Sequence, residues 1–351
     1  MSANPQQPMS ANPQRPMPLN RRRLRSRLLL LGLAAGLAWG CAPSTDSRVV
    51  ARSSDFVVVS TGSKTTLRSL ARAYLGDESL YRIIADFNDV SRVRGGQELV
   101  IPLKPANRAA VYPNGYQVVP ILTYHRFAPK GQGCDKLAVD ARSFAKQLAY
   151  LRDNHYSVIT FSQLADFIEG KAAIPPKSVI LTIDDGYRSA YDVAYPVLRR
   201  YGQKATIFVY SDFIGAGAGL TWAQMKEMVA SRLIDIQPHS KTHSDLTIRL
   251  EGESEKAYRE RIREEVRHPS KAIERNLGLP IHTFSYPYGA ENDAVLAIVE
   301  AADFRLGTTV TRGSNPSFAH PLALRRTQIY CDDDIKTFAK RLDVFKNVAL
   351  K

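Results

Sequence analysis

Two short sets of residues in this chain are able to do chemistry together. The first is Asp184-Asp185-Gly186, which follows the apolar run from Ser178 to Ile183. The second is His239-Ser240-Lys241-Thr242-His243, which follows the apolar stretch from Leu233 to Ile236. An apolar run of this kind reads as a strand buried on both faces of a parallel sheet. Such strands present functional groups at their C-terminal ends. Two adjacent carboxylates there repel each other and resist desolvation unless a cation compensates. One carboxylate and two imidazoles make a three-ligand set with an open fourth position, the pattern of a catalytic zinc site. Each half alone has a plainer reading. Asp-Asp-Gly is commonly a turn with a helix cap, and a spacing of four puts two rings on one side of any helical turn. Their joint placement, each just past a strand, favours the metal.

A third element follows in order, Thr283-Phe284-Ser285-Tyr286-Pro287-Tyr288-Gly289, a short strand running into a Pro-aromatic-Gly turn. With this triplet of motifs the chain resembles the polysaccharide deacetylase family (the NodB-homology fold, carbohydrate esterase family 4), over roughly Gln117 to Lys346. The resemblance implies an α/β fold, a distorted (β/α)7 barrel. It implies a metal-dependent hydrolase that removes N-acetyl groups from N-acetylglucosamine-containing envelope polysaccharide, either poly-N-acetylglucosamine or peptidoglycan. Asp185, His239 and His243 would hold one divalent metal, zinc by chemical preference, and Asp184 would be the general base. The backbone N–H of Tyr288, in the turn begun by Pro287, would face the oxyanion. Many members carry an Arg just before the Tyr-Pro-Tyr, where it orients the base; this chain has Ser285 there. A metal suits amide hydrolysis because it acidifies water and polarises the carbonyl.

The departing amine needs a proton. Many family members supply it from a His in a late Leu-x-His motif, but the corresponding segment from Leu322 to Tyr330 contains none. His125, at the end of the strand Val118–Tyr124, is the candidate acid, and His320 is its rival. Trp222 is a candidate sugar contact; its plainer reading is helix packing.

The surrounding elements alternate as a barrel requires. Strands are expected at Val118–Tyr124, Ser178–Ile183, Ala205–Tyr210, Leu233–Ile236, 282–286, 304–310 and 322–330. Helices are expected around Phe144–Leu151, Tyr187–Tyr201 (kinked by an internal Pro196), Trp222–Val229 and 293–301. Glu253 to Gly278 carries Tyr258, Ile262 and Val266 on one stripe and reads as a solvated helix.

The chain has 351 residues, 44% hydrophobic and 23% charged, enough for two domains and a leader. The net charge is +14, but six arginines fall within the first 27 residues, which hold no acid. No basic-aromatic motif or nucleic-acid module appears, so nucleic acid is not an expected partner. Residues 1–40 read as a leader and signal segment, with arginines 21–27 ahead of a short apolar run. That run ends in Leu37-Ala38-Trp39-Gly40-Cys41, which resembles a bacterial lipobox. It implies a lipid on Cys41 and membrane attachment in the cell envelope, at the outer membrane if Gram-negative. The alternatives are ordinary cleavage or an uncleaved anchor. Cys134 and Cys331 then remain as an even pair, a disulfide or two free thiols.

Residues 41–54 read as a linker and 104–115 as a second one. Between them, 55–103 has a strand-helix-helix-strand pattern closing with Gly96-Gln97-Glu98-Leu99-Val100-Ile101-Pro102. It resembles a LysM domain, a small α+β unit, which implies binding to N-acetylglucosamine-containing glycan. The catalytic domain is expected at 116–346, in a monomer. Two other functional classes stay open at this level: a non-catalytic glycan-binding lipoprotein, and a hydrolase of a non-sugar amide or ester.

Overall fold

The computed structural model describes residues 46–103, 107–112, 114–129 and 135–348. The leader, Cys41 and Cys134 lie outside the described residues; Cys331 is disulfide-bonded. Among the described residues no helix is long and apolar enough to cross a membrane. The chain divides into two units, Met1–Pro105 and Ala106–Lys351.

The first unit is a three-stranded antiparallel sheet with two helices. Strands β1 (Ser47–Arg52), β2 (Phe56–Thr61) and β3 (Glu98–Pro102) pair in that order. Strand β1 falls where the sequence reads as linker. Its residues are nearly all exposed, so no apolar alternation marks it as a strand. Helix α1 (Leu67–Leu75) starts at a capping box between Thr66 and Ser69, and α2 spans Tyr81–Phe87. Val57, Val59, Leu70, Ala71, Ile84, Leu99 and Ile101 form the core between sheet and helices. Asn88 clips the end of α2 to β3, donating to the Ile84 and Val100 carbonyls at 2.8 and 2.7 Å and accepting from Val100 N–H at 2.8 Å.

The second unit is a barrel of seven parallel strands. They are β4 (Val119–Tyr124), β5 (Ser178–Ile183), β6 (Ala205–Val209), β7 (Ile234–Pro238), β8 (Thr283–Ser285), β9 (Leu306–Arg312) and β10 (Leu324–Gln328). Hydrogen-bonded neighbours run β7-β6-β5-β4-β10-β9-β8, so β7 and β8 are the two ends of the ladder. Side chains close that seam. Gln237 on β7 accepts from the N–H groups of His282 and Thr283 at 3.0 and 3.1 Å. His239 bonds the Ser285 carbonyl at 2.7 Å.

The strands are buried on both faces, which is why β5 is wholly apolar apart from Ser178 and Thr182. Period-two alternation sorts its residues. Val179, Leu181 and Ile183 pack outward against the helices Ala141–Asp153 and Trp222–Ala230. Ile180 packs inward with Val119, Ile121, Phe208 and Leu324. Thr182 and then Asp184 continue the inward row, so the strand's own periodicity aims Asp184 into the barrel.

Two helices differ from their expected form. Residues 190–194 form a π-helical turn that runs without a break into the helix Tyr195–Tyr201, since Ala194 and Tyr195 both keep helical backbones, and Pro196 follows directly on that turn, inside the helical run as expected. The long helix Glu255–Leu277 buries Tyr258, Ile262 and Val266 against β8 and the helix Asp293–Glu300, and it buries one acid as well, Glu265. Trp222 is partly buried at the edge of the outer core.

Candidate active site

Five of the seven strands bring a polar group to one end of the barrel. His125 follows β4, Asp184 and Asp185 follow β5, His239 follows β7, and Tyr286 to Gly289 follow β8. Arg326 lies within β10 itself. Strands β4 and β5 are in register, Tyr124 opposite Ile183, and the Asp184 N–H donates to the Tyr124 carbonyl at 2.8 Å. His125 and the Asp pair therefore emerge side by side.

The backbone turns sharply after β5, β7 and β8. Asp185, Ser240, His243 and Tyr288 all have left-handed backbones, with φ of 72°, 70°, 63° and 57°. Such conformations cost a non-glycine residue on the order of 1–3 kcal/mol and cluster at functional sites. Gly186 continues the first turn at φ 74°, and a Cβ there would meet Val209 Cγ1 at 2.8 Å. Gly289 is similarly required, because its Cβ would overlap the Val310 backbone nitrogen.

Asp185, His239 and His243 converge. Their ligand atoms lie within 4.8 Å of one another. The Nε2 atoms of His239 and His243 stand 3.5 and 3.2 Å from Asp185 Oδ1. The His239 tautomer follows from its partner. A carbonyl only accepts, so Nδ1 must donate to Ser285 O, leaving the Nε2 lone pair facing Asp185. Metal-ligating histidines are commonly held by such a bond through their other nitrogen. An ionised carboxylate and two imidazole nitrogens at this separation fit a divalent, zinc-like ion.

Asp184 is held differently. It is buried, and Arg326 grips it with two parallel bonds, Nη1 to Oδ1 at 2.8 Å and Nη2 to Oδ2 at 2.7 Å. Arg326 is itself fully buried. It also donates through Nε to the Thr309 carbonyl at 2.8 Å and through Nη2 to Ser285 Oγ at 3.1 Å. Burial raises the Asp184 carboxyl, and the Arg326 charge and its hydrogen bonds together bring it below its ordinary value. The guanidinium expected just before Tyr286 thus comes from another strand, and Ser285 accepts from it. Arg326 is the functional residue missed in the sequence. The signal was its alternation with the inward-facing Leu324, obscured by the adjacent, exposed Arg325.

Burial also pushes the His125 imidazole below its ordinary value, against the opposing pull of Asp184 and Asp185. Its Nδ1 is buried without a hydrogen-bond partner among the described residues. His320 stands elsewhere. It precedes β10, at the N-terminal ends of the parallel strands, and its Nδ1 accepts from the Leu322 N–H at 3.3 Å. That places it at the far end of the barrel from the Asp pair.

Tyr288 is 63% exposed, and its ring lies 4.9 Å from that of His243. Its amide precedes the first bond of the turn, Gly289 N–H to Tyr286 O at 2.9 Å, and so has no acceptor within the turn. Further aromatic contacts lead away from His243 through Tyr210 at 5.1 Å to Phe213 and Tyr187. Beside them a cleft of about 690 Å³ is lined by Arg126, Tyr187, Arg188 and Asp192.

A parallel α/β barrel with a carboxylate-imidazole cluster at the C-terminal ends of its strands offers a candidate metal site on a common enzyme scaffold. Comparison with known proteins narrows this. A family model described as Polysaccharide deacetylase matches residues 171–307. The chain is 31% identical over 213 residues to YxkH of Bacillus subtilis (strain 168), a relative carrying the polysaccharide deacetylase name, covering 60% of this chain and 71% of that protein. It is 22% identical over 264 residues to the Poly-beta-1,6-N-acetyl-D-glucosamine N-deacetylase of Escherichia coli (strain K12), with 65% of this chain matched and only 38% of that longer protein. Among solved structures, the Streptococcus pyogenes deacetylase PplD aligns with a TM-score of 0.58 and 26% identity over 64% of this chain and 98% of its own. IcaB from Ammonifex degensii aligns at 0.55 and 26%, over 66% and 97%. The chain belongs to the polysaccharide deacetylase family, hydrolases that act on amide bonds.

Proposed function

We propose that the protein is a metal-dependent N-deacetylase of N-acetylglucosamine-containing envelope polysaccharide, with poly-N-acetylglucosamine the substrate that the relatives' names favour. The convergence of Asp185, His239 and His243, with the His239 tautomer fixed, carries this reading. These three residues would hold a zinc ion, which supplies acidified water and a polarised acetyl carbonyl. Asp184 takes the proton from the attacking water, oriented by Arg326. The Tyr288 N–H faces the developing oxyanion, with Pro287 fixing the turn. His125 gives a proton to the departing glucosamine nitrogen. Residues 55–103 act as a LysM-like glycan-binding unit, and a lipid on Cys41 holds the enzyme at the cell envelope.

The deciding assay is acetate release from short N-acetylglucosamine oligomers by the purified protein, with bound metal measured in parallel. The expected result is about one equivalent of metal per chain, loss of turnover with chelator, and recovery with zinc. Turnover indifferent to chelator would overturn the metal reading. In the same preparation, deleting residues 46–103 should abolish retention on insoluble chitin while sparing turnover of short oligomers. Unchanged retention would reduce that unit to a spacer.

A further inference from the structure

The turn between the two candidate metal-binding histidines is held from behind by a carboxylate that the reaction does not use. Glu265 lies in the middle of the helix Glu255–Leu277 and is 5% exposed. Its Oε2 accepts from the backbone N–H groups of Lys241 and Thr242, both at 2.9 Å. Its Oε1 accepts from Thr242 Oγ1 at 2.8 Å. All three donors lie between His239 and His243. We infer that Glu265 is a positioning residue for the metal pocket, fixing the His239–His243 turn in the shape that points both imidazoles at Asp185. This inference rests on the metal reading of those three residues.

The turn needs such a restraint. His239 is fixed at the end of β7 by its bond to Ser285. His243 is reached through a segment in which Ser240 and His243 both have left-handed backbones. Strain of this kind persists only where the surroundings over-determine the conformation. Other contacts help: Ser240 Oγ accepts from the His243 N–H at 2.9 Å, and the Ser211 and Asp212 N–H groups bond the Ser240 and Lys241 carbonyls at 3.2 and 3.0 Å. Glu265 alone takes up the two central N–H groups. A carboxylate is suited to this because it accepts several bonds and donates none. Its own place is rigid, since Ile262 and Val266 flank it in the core. Without Glu265 the two part-buried N–H groups would lose their fixed acceptor, and the turn would relax toward water, carrying His243 with it.

The test is zinc affinity of the full-length protein, measured by competition with a chromophoric chelator, alongside thermal stability. Glu265→Leu, which keeps bulk and removes every acceptor, should weaken zinc binding by about 10–100-fold, the range seen when outer partners of metal ligands are lost. Glu265→Asp keeps the charge but retreats by one methylene, and should weaken binding about tenfold; it keeps the test open should the Leu variant not fold. Glu265→Gln can still accept both N–H groups on one oxygen, with its amide turned to the Thr242 hydroxyl, and should stay within about threefold of the parent. Val266→Ala, on the same helix, should lower the melting temperature and leave zinc affinity unchanged. Parent-like affinity in the Asp and Leu variants would overturn the role of Glu265 while leaving the metal site intact. So would an equal loss in Val266→Ala, because stability alone would then explain it. An unmutated protein that takes up no zinc would overturn the metal reading itself.

Discussion

Asp184 and Asp185 are consecutive, yet the guanidinium side and the imidazole side of the site hold them in opposite ways. Asp184 continues the inward row of β5 and meets a buried arginine that binds both of its oxygens. Asp185 turns out of the strand through a left-handed backbone and meets two imidazoles, with more of its side chain reachable from outside. Ser285 touches both sides, its hydroxyl on Arg326 and its carbonyl on His239. The difference shows how one strand end separates two chemically identical groups. An acid already saturated with fixed donors is suited to orientation and proton transfer. An acid facing two imidazole nitrogens is suited to share a cation with them.

The largest effects should come from exchanging the two acids for amides. Asp185→Asn should lose most of the bound metal and all measurable turnover. Asp184→Asn should keep the metal, assayed below its own unfolding transition, and lose about a hundredfold or more in turnover. It should also be less stable, because an amide N–H2 then faces one arm of a buried guanidinium. Metal lost equally from both variants would erase the distinction between the two sides.

His125 stands beside both acids and sharpens the contrast, since in the proposed reaction it would serve the leaving group rather than the water. Burial pushes its imidazole below the ordinary value, against the pull of the two acids. His125→Ala should cut amide hydrolysis by about a hundredfold with metal content unchanged. On an acetate ester with a good leaving group the loss should be several-fold at most. Equal losses on both substrates would make His125 a binding or structural residue.

Much of this site was legible in the chain because its parts are local. Asp184-Asp185-Gly186 and His239-x-x-x-His243 each follow an apolar run, and the polar group after such a run marks a barrel's working end. The seven strands were legible for the same reason, and their ends shifted by only a residue or two. What was not legible depends on long-range pairing. Arg326 stands next to the exposed Arg325 and Glu265 sits in a helix whose charges are mostly exposed, and each finds its partners far along the chain or across the fold. Strand β1 is absent from any apolar pattern because it lies on a sheet edge with its side chains exposed. Pro196 inside a helical run was legible, but the π-turn just before it leaves no mark in the apolar pattern.

The smallest effect tests the guanidinium side by itself. Arg326→Lys keeps a positive charge but cannot make two parallel bonds to a carboxylate. The neutral-pH stability loss should be less than the roughly 3–5 kcal/mol expected for removing a buried partner outright. The sharper readout is acid unfolding in the presence of chelator. In the folded protein the Asp184 carboxyl lies below its ordinary value, so its contribution to stability is fully present above the unfolded value of about 4 and disappears as the pH falls through the folded one. A lysine depresses the carboxyl less. The contribution is then lost at a higher pH, and the acid midpoint should move up by a few tenths of a unit. Introduced into Asp184→Asn, where no carboxyl titrates, the same Arg326→Lys change should leave the acid midpoint where it was. A shift of equal size in both backgrounds would mean that Arg326 acts through Thr309 and Ser285 rather than through Asp184, and the division between the two sides of the site would have to be redrawn.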